Sequence, residues 1–308
     1  MIVHSAAEFL SAYSPERFPA TRAATARGAF LVAPLGFTLA QESARDNLYM
    51  ANNRAPDATT DAARALAEHA TLAAALRESV PVVVFPGDAA TPDAVFPNNV
   101  FATAPGRAIV GAMRHAVRQR EAARADIRGF FHDLLGYEVI DLSAQGFVAE
   151  LTGALVIDRA RGIGYCGLSE RCDRAGAAAM HAAFGLELTY CFELARGEYH
   201  TNVVLAVLAG RAAIIAADGF AHAADAAAIA QVYAPRALHI DAAQKAAFAG
   251  NAIALDSARA WMSARAAASL TPAQHAALAH WGFAVRDVAL DEIEKAGGSL
   301  RCCVGEIF

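Results

Sequence analysis

The chain has 308 residues, of which 56% are AVILMFWYC and 19% are charged, and its formal net charge is −5. That balance excludes a disordered chain, which needs high charge and low hydrophobicity, and argues against a nucleic-acid binder, which needs a basic stripe. The length fits one large α/β domain or two smaller ones.

The N-terminal MIVHSAAEFL has no basic region followed by an apolar core, so no secretory signal is expected. Gly28 to Val32 and Val80 to Phe85 are short β-rich runs bounded by Gly or Pro and predict buried strands, with a helix over Asp57 to Ser79 between them. Strands are then expected at Arg107 to Val110, Tyr137 to Leu142 and Ala154 to Ile157, with a helix from Arg114 to Leu135. Arg114, Arg118, Arg120 and Arg124 lie mostly on one side of that helix and read as a solvated face. Further strands are predicted at Val203 to Leu208, Ala212 to Ala216, Ala252 to Leu255 and Arg301 to Ile307, and helices at Ala221 to Val232 and Thr271 to His280. In the last helix Thr271 is the expected N-cap, with Pro272 at the first helical position and Gln274 three residues after the cap.

Alternating strands and helices with no linker indicate an α/β or α+β fold. The longest apolar run, Val203 to Gly210, ends at Arg211, well short of the roughly 20 residues a membrane-spanning helix needs. Five cysteines without a CxxC pair make a poor disulfide framework and a poor zinc site, and point to a reducing, cytoplasmic setting. Neither GxGxxG nor GxxxxGK[ST] occurs, so no nucleotide cofactor is expected.

Four segments place polar residues beside apolar strands: Phe96-Pro-Asn-Asn99, Glu150-Leu-Thr-Gly-Ala154, Tyr199-His-Thr-Asn-Val203 and Gly297-Gly-Ser-Leu-Arg-Cys-Cys303. Burying such groups is costly unless they are paired. A Cys, a His and a Glu converging on one pocket would supply a nucleophile, an acid/base and a carboxylate partner. Each also has a plainer reading. Cys302 alone is a small buried apolar residue, His200 a hydrogen-bonded strand-end histidine, Glu150 an ion-pair partner, and Asn98-Asn99 a turn.

Taken in order, PDAVFPNN (Pro92 to Asn99), ELTGALVIDR (Glu150 to Arg159), EYHTNVVL (Glu198 to Leu205), FAGNAI (Phe248 to Ile253) and GGSLRCCVGEIF (Gly297 to Phe308) resemble the guanidine-modifying enzyme superfamily. That group holds arginine deiminases, dimethylargininases, succinylarginine dihydrolase and amidinotransferases. The similarity is greatest to the citrulline-utilization hydrolase or arginine-deiminase-related branch. It implies an α/β pentein fold, a propeller of five ββαβ-like modules around a central active-site channel, and so one domain over 1–308. It implies that Cys302 is the nucleophile, His200 the general acid/base and Glu150 the carboxylate beside it, with Cys303 a packing residue. It implies a small amino-acid substrate, no metal and no organic cofactor, and leaves a homo-oligomer open.

Deiminases of this superfamily hold the guanidinium with carboxylates at two places, and here Asn99 and Asn202 occupy those slots. A guanidinium has donors only, whereas an amide brings a donor as well as an acceptor. The exchange fits a neutral ureido group, such as that of citrulline, better than a cationic guanidine. Asn98 adjoins this set, and Arg118 is the candidate for the substrate α-carboxylate. Leu151 and Ala154 depart from the EGTGSLV pattern of the superfamily. The expected activity is cysteine-dependent hydrolysis of C–N bonds in a guanidino or ureido group of arginine, citrulline or a derivative. An amidinotransferase and a non-catalytic binding protein of the same fold are the alternatives.

Overall fold

The computed structural model describes residues 1–51 and 60–308. Among them the strands, in chain order, are β1 (Ile2–Val3), β2 (Gly28–Val32), β3 (Val82–Phe85), β4 (Phe101–Ala104), β5 (Arg107–Val110), β6 (Glu138–Asp141), β7 (Leu155–Asp158), β8 (Ile163–Leu168), β9 (Leu188–Glu193), β10 (Leu205–Leu208), β11 (Ala212–Ile215), β12 (Ala237–His239), β13 (Arg259–Ser263), β14 (Ala284–Val288) and β15 (Gly305–Ile307). They form five sheets, ordered β15-β2-β3, β4-β5-β6, β1-β9-β8-β7, β10-β11-β12 and β13-β14.

One pattern recurs. An antiparallel pair is followed by a helix that returns the chain to a parallel third strand. It holds for β4-β5 with β6, β7-β8 with β9, and β10-β11 with β12. A parallel neighbour requires such a crossover. In the β13-β14 sheet the first strand is reduced to one bridge, Ile253 to Trp261. The remaining sheet closes the chain on itself, because β2 takes its antiparallel partner from the C-terminal β15 and its parallel partner from β3.

Hydrogen bonds then join module to module. Thr152 Oγ1 donates to Asn98 O, Thr201 Oγ1 to Ala154 O, and Asn251 Nδ2 to Asn202 O. The Arg301 amide donates to Asn251 Oδ1, and Thr103 Oγ1 to Glu306 O, so the circuit is complete.

The core follows from strands shielded on both faces. All five residues of β2 and all six of β8 are buried. Helices Ala62–Leu76, Arg174–Phe184 and Ala223–Tyr233 cover the outside, with Leu72, Met180 and Ile229 each 0% exposed. Each such side chain contributes about 1.5–3 kcal/mol by leaving water. No helix among the described residues is long and apolar enough to cross a membrane.

Several predicted elements differ in extent. The helix expected over Asp57 to Ser79 is Ala62–Leu76, and residues 57–59 lie outside the described residues. The helix expected from Arg114 to Leu135 breaks into Ala116–Ala122, Ala125–Gly129 and a wide turn at Phe130–Leu134, because Arg124 takes an extended backbone (ψ 104°) and its side chain pairs with Asp126 and Pro86 O. Strand Val203 to Leu208 starts at Leu205, since Thr201–Val204 form a helical turn. Likewise only Gly305–Ile307 of Arg301 to Ile307 is strand, and Ala252 to Leu255 keeps only its bridge. The capping box at Thr271 is present, with Gln274 reciprocating.

Candidate active site

Short helical turns lead into the first strands of the modules, and they carry most of the candidate side chains. Asn98 stands three residues before β4, Thr152 before β7, Asn202 before β10 and Cys302 before β15. Asn251 stands two residues before the Ile253 bridge. Glu150 and His200 cap the turns Leu151–Ala154 and Thr201–Val204. The repeat of the fold thus delivers one polar position per module to a common place.

Cys302, His200, Asn99, Asp93, Arg118 and Arg171 line one small cavity. Cys302 is 1% exposed and lies between two amides: Asn251 Nδ2 donates to its Sγ at 3.3 Å and Asn202 Nδ2 at 3.6 Å. Burial pushes the thiol up, partly offset by the Ser299 backbone, Asn251, Arg301 and Asn202. Gly297, at φ +76°, turns the chain ahead of it, and a side chain there would strike Asn47.

His200 and Glu150 are both 0% exposed, and the His200 Nε2 to Glu150 Oε2 distance is 2.8 Å. Burial alone would raise Glu150, but Arg171 at 3.2 Å and the His200 bond outweigh it and hold the carboxyl well below the usual carboxylate range. An ionised carboxylate only accepts. Nε2 therefore carries the imidazole proton, and Nδ1, which has no partner, presents a lone pair. Burial keeps His200 below its ordinary value, with Glu150 opposing. Gly153 permits this approach: a Cβ there would stand 2.6 Å from Asn99 Oδ1 and 2.7 Å from His200 Cε1. Arg171 is itself fixed by Asp46 and the Ser43 carbonyl.

The other sequence candidates take separate places. Asn99 reaches the cavity with Oδ1 unpartnered. Asn98 is fully buried outside the cavity lining, its amide unpartnered. Asn202 touches Cys302 through its side-chain amide. Arg118 is no member of a solvated face. It is 3% exposed, and its guanidinium grips Glu121 at 2.7 and 3.0 Å and the Phe96 carbonyl at 2.9 Å. Burial pushes Glu121 up to about 8 despite this pairing. Cys303 is fully buried, with its thiol on Ser299 O.

Sequence reasoning missed Asp93, Asn251 and Arg171. Asp93 corrects the inference that amides replace both pocket carboxylates. It is 2% exposed in the cavity wall, Ser43 Oγ donates to its Oδ2 at 2.6 Å, and its Oδ1 has no partner. Burial raises its carboxyl, with Arg118 and Ser43 pulling the other way. Asp93 and Asn251 lie inside the PDAVFPNN and FAGNAI motifs, and Asn251 also occupies the recurrent position ahead of a first strand. Arg171 carries no comparable signal.

The family model described as N,N dimethylarginine dimethylhydrolase, eukaryotic, matches residues 33–308. The chain belongs to this family. No curated protein matches it. Among solved structures, the N-terminal domain of ArgZ, an arginine dihydrolase from the ornithine-ammonia cycle in cyanobacteria, is similar at TM-score 0.78 and 19% identity, covering 91% of this chain and 97% of that domain. Unliganded AgrE matches at TM-score 0.78 and 21% identity, over 91% of this chain and 39% of its own. A dimethylarginine dimethylaminohydrolase adduct matches at TM-score 0.67 and 20% identity, over 91% and 99%. The fold is the pentein fold, and its five expected modules correspond to the five sheets.

Proposed function

We propose that this family member is a cysteine-dependent hydrolase that cleaves C–N bonds of a guanidino or ureido group on an arginine-related amino acid, with one pentein-fold domain spanning 1–308. The observation that carries this reading is the Cys302 thiol, seated between two amides in the cavity that also presents a lone-pair nitrogen of a carboxylate-anchored histidine.

The chemistry follows from these atoms. Cys302 gives up its proton as substrate enters, because the thiolate is the nucleophile. Its sulfur bonds to the central carbon of the guanidino or ureido group. His200 Nδ1 takes the proton released and returns it to the departing nitrogen as the C–N bond breaks. The same Nδ1 then draws a proton from water, which attacks the carbon and releases the sulfur. Glu150 holds the ring and stabilises its cationic form. Asp93 Oδ1 and Asn99 Oδ1 accept from the substrate N–H groups. Arg118 adds positive charge to the cavity wall, where a substrate α-carboxylate would lie.

One carboxylate and several amides serve a ureido group as well as a guanidinium. The test is Cys302→Ser beside Cys303→Ser, assayed on arginine, dimethylarginine and citrulline for ammonia, dimethylamine, citrulline and ornithine. Cys302→Ser should lose all turnover and Cys303→Ser should keep it; the reverse overturns the assignment. Amine-dependent formation of a new guanidino compound would instead establish a transferase. Absence of any covalent adduct on Cys302 would leave a binding protein.

A further inference from the structure

A second, small cavity lies behind the catalytic floor. Asn202 and Thr152 form part of its wall, and Arg159, Arg301 and Glu306 supply its charge. Glu150 precedes the turn Leu151–Ala154 and Arg159 follows β7, so that turn and a four-residue strand about 13 Å long lie between them.

Two guanidiniums here share one carboxylate. Arg301 Nη2 donates to Glu306 at 2.9 Å and its Nη1 to the Val304 carbonyl at 2.7 Å. Arg159 Nη1 donates to the Thr103 carbonyl at 3.0 Å. Arg159 Nη2 makes no hydrogen bond: Glu306 Oε2 is its nearest anion, at 3.9 Å, although the side chain is only 10% exposed. Arg161, close by, is neutralised by Asp158 at 2.8 Å. The cavity therefore keeps one uncompensated positive charge and one buried Nη2 with both N–H groups unused. Leaving such a donor unmet is costly. The Arg159 guanidinium is also held in place, with its centre 4.1 Å from the Phe308 ring centroid and 5.3 Å from that of Phe184. A planar, pre-oriented guanidinium matches a group whose oxygens only accept.

We infer that this rear cavity binds a small oxyanion, a carboxylate or a phosphate, on Arg159 Nη2 beside Arg301. Glu306 limits the affinity because it competes for both arginines. Burial and the Arg301 charge push Arg159 down to about 10, still cationic at neutral pH.

The test is calorimetric titration of the full chain with inorganic phosphate and with acetate, at constant ionic strength in sodium chloride. Saturable binding at one site per chain is expected for at least one of them, and the tighter of the two identifies the source chemistry. Arg159→Gln should weaken it at least about tenfold, the scale of one lost charge-assisted hydrogen bond. Glu306→Gln should tighten it several-fold. Non-saturable heats, unchanged affinity in a folded Arg159→Gln protein, or no tightening in Glu306→Gln would overturn the proposal. If Arg159→Gln does not fold, Glu306→Gln alone decides.

Discussion

The two cavities differ in what they leave unsatisfied. At the front, the unpartnered atoms lining the cavity are acceptors: Asp93 Oδ1, Asn99 Oδ1 and His200 Nδ1. At the rear the unpartnered atom is a donor, Arg159 Nη2. The front is therefore complementary to a group rich in N–H, the rear to one rich in oxygen lone pairs. Buried polar atoms are ordinarily paired, so the sign of the unmet bond describes the missing ligand better than cavity size does.

The strongest way to break the front half of this contrast is Glu150→Gln. The amide no longer forces the proton onto His200 Nε2, and Arg171 loses one of its two carboxylate partners, keeping Asp46. Turnover should fall by about a thousandfold, within the range of general acid–base contributions, read as kcat at saturating substrate. Gly153→Ala comes next. Its methyl would displace both His200 and Asn99, and a misplacement near 1 Å costs about a hundredfold; kcat of the folded variant checks it. Asp93→Asn sharpens the contrast further. It removes the one cavity carboxylate with a free acceptor, so kcat/KM for cationic arginine substrates should drop about thirtyfold, the scale of a hydrogen bond between charged groups. The loss on citrulline should be no more than a few-fold. Equal losses on both would mean that Asp93 does not meet the substrate charge.

His69 is the control, a buried imidazole with Nε2 unpartnered that lines neither cavity. Burial pushes it from 6.5 down to about 4. A histidine depressed in the folded state gives stability that is full above pH 6.5 and is lost as pH falls toward 4. Denaturant unfolding should show a loss on the order of 1 kcal/mol between pH 6.5 and 5 from this group. His69→Leu should flatten that slope and leave kcat unchanged. Here an unmet atom marks no ligand and affects stability alone.

Much of this geometry was legible in the residues. Cys302, His200 and Glu150 stand in motifs whose order already implied one site. Asn98, Asn202 and Cys302 share a position three before a strand, a regularity visible once strand starts are known. Strand starts were the weak point. The turns Thr201–Val204 and Leu300–Cys303 contain apolar residues that read as strand, although each is a short helical turn. Asp93 gives no signal because an acidic residue after Thr-Pro is ordinary loop sequence; only the tertiary fold sets it in the same cavity as Cys302. For Arg118, periodicity finds a helix face and does not say what that face meets. Glycine-rich β8 (IGYCGL) hid its strand character because Ile163 is its only β-branched residue and two of its six are glycine.

The pairing of β15 with β2 joins Gly305 to Phe30, nearly the full length of the chain. Contacts of such sequence separation form late and slowly. Cys302, the proposed nucleophile, sits three residues before that closing strand. Whatever loosens the β15–β2 pairing therefore also shifts the thiol, so closure of the ring and placement of Cys302 are coupled.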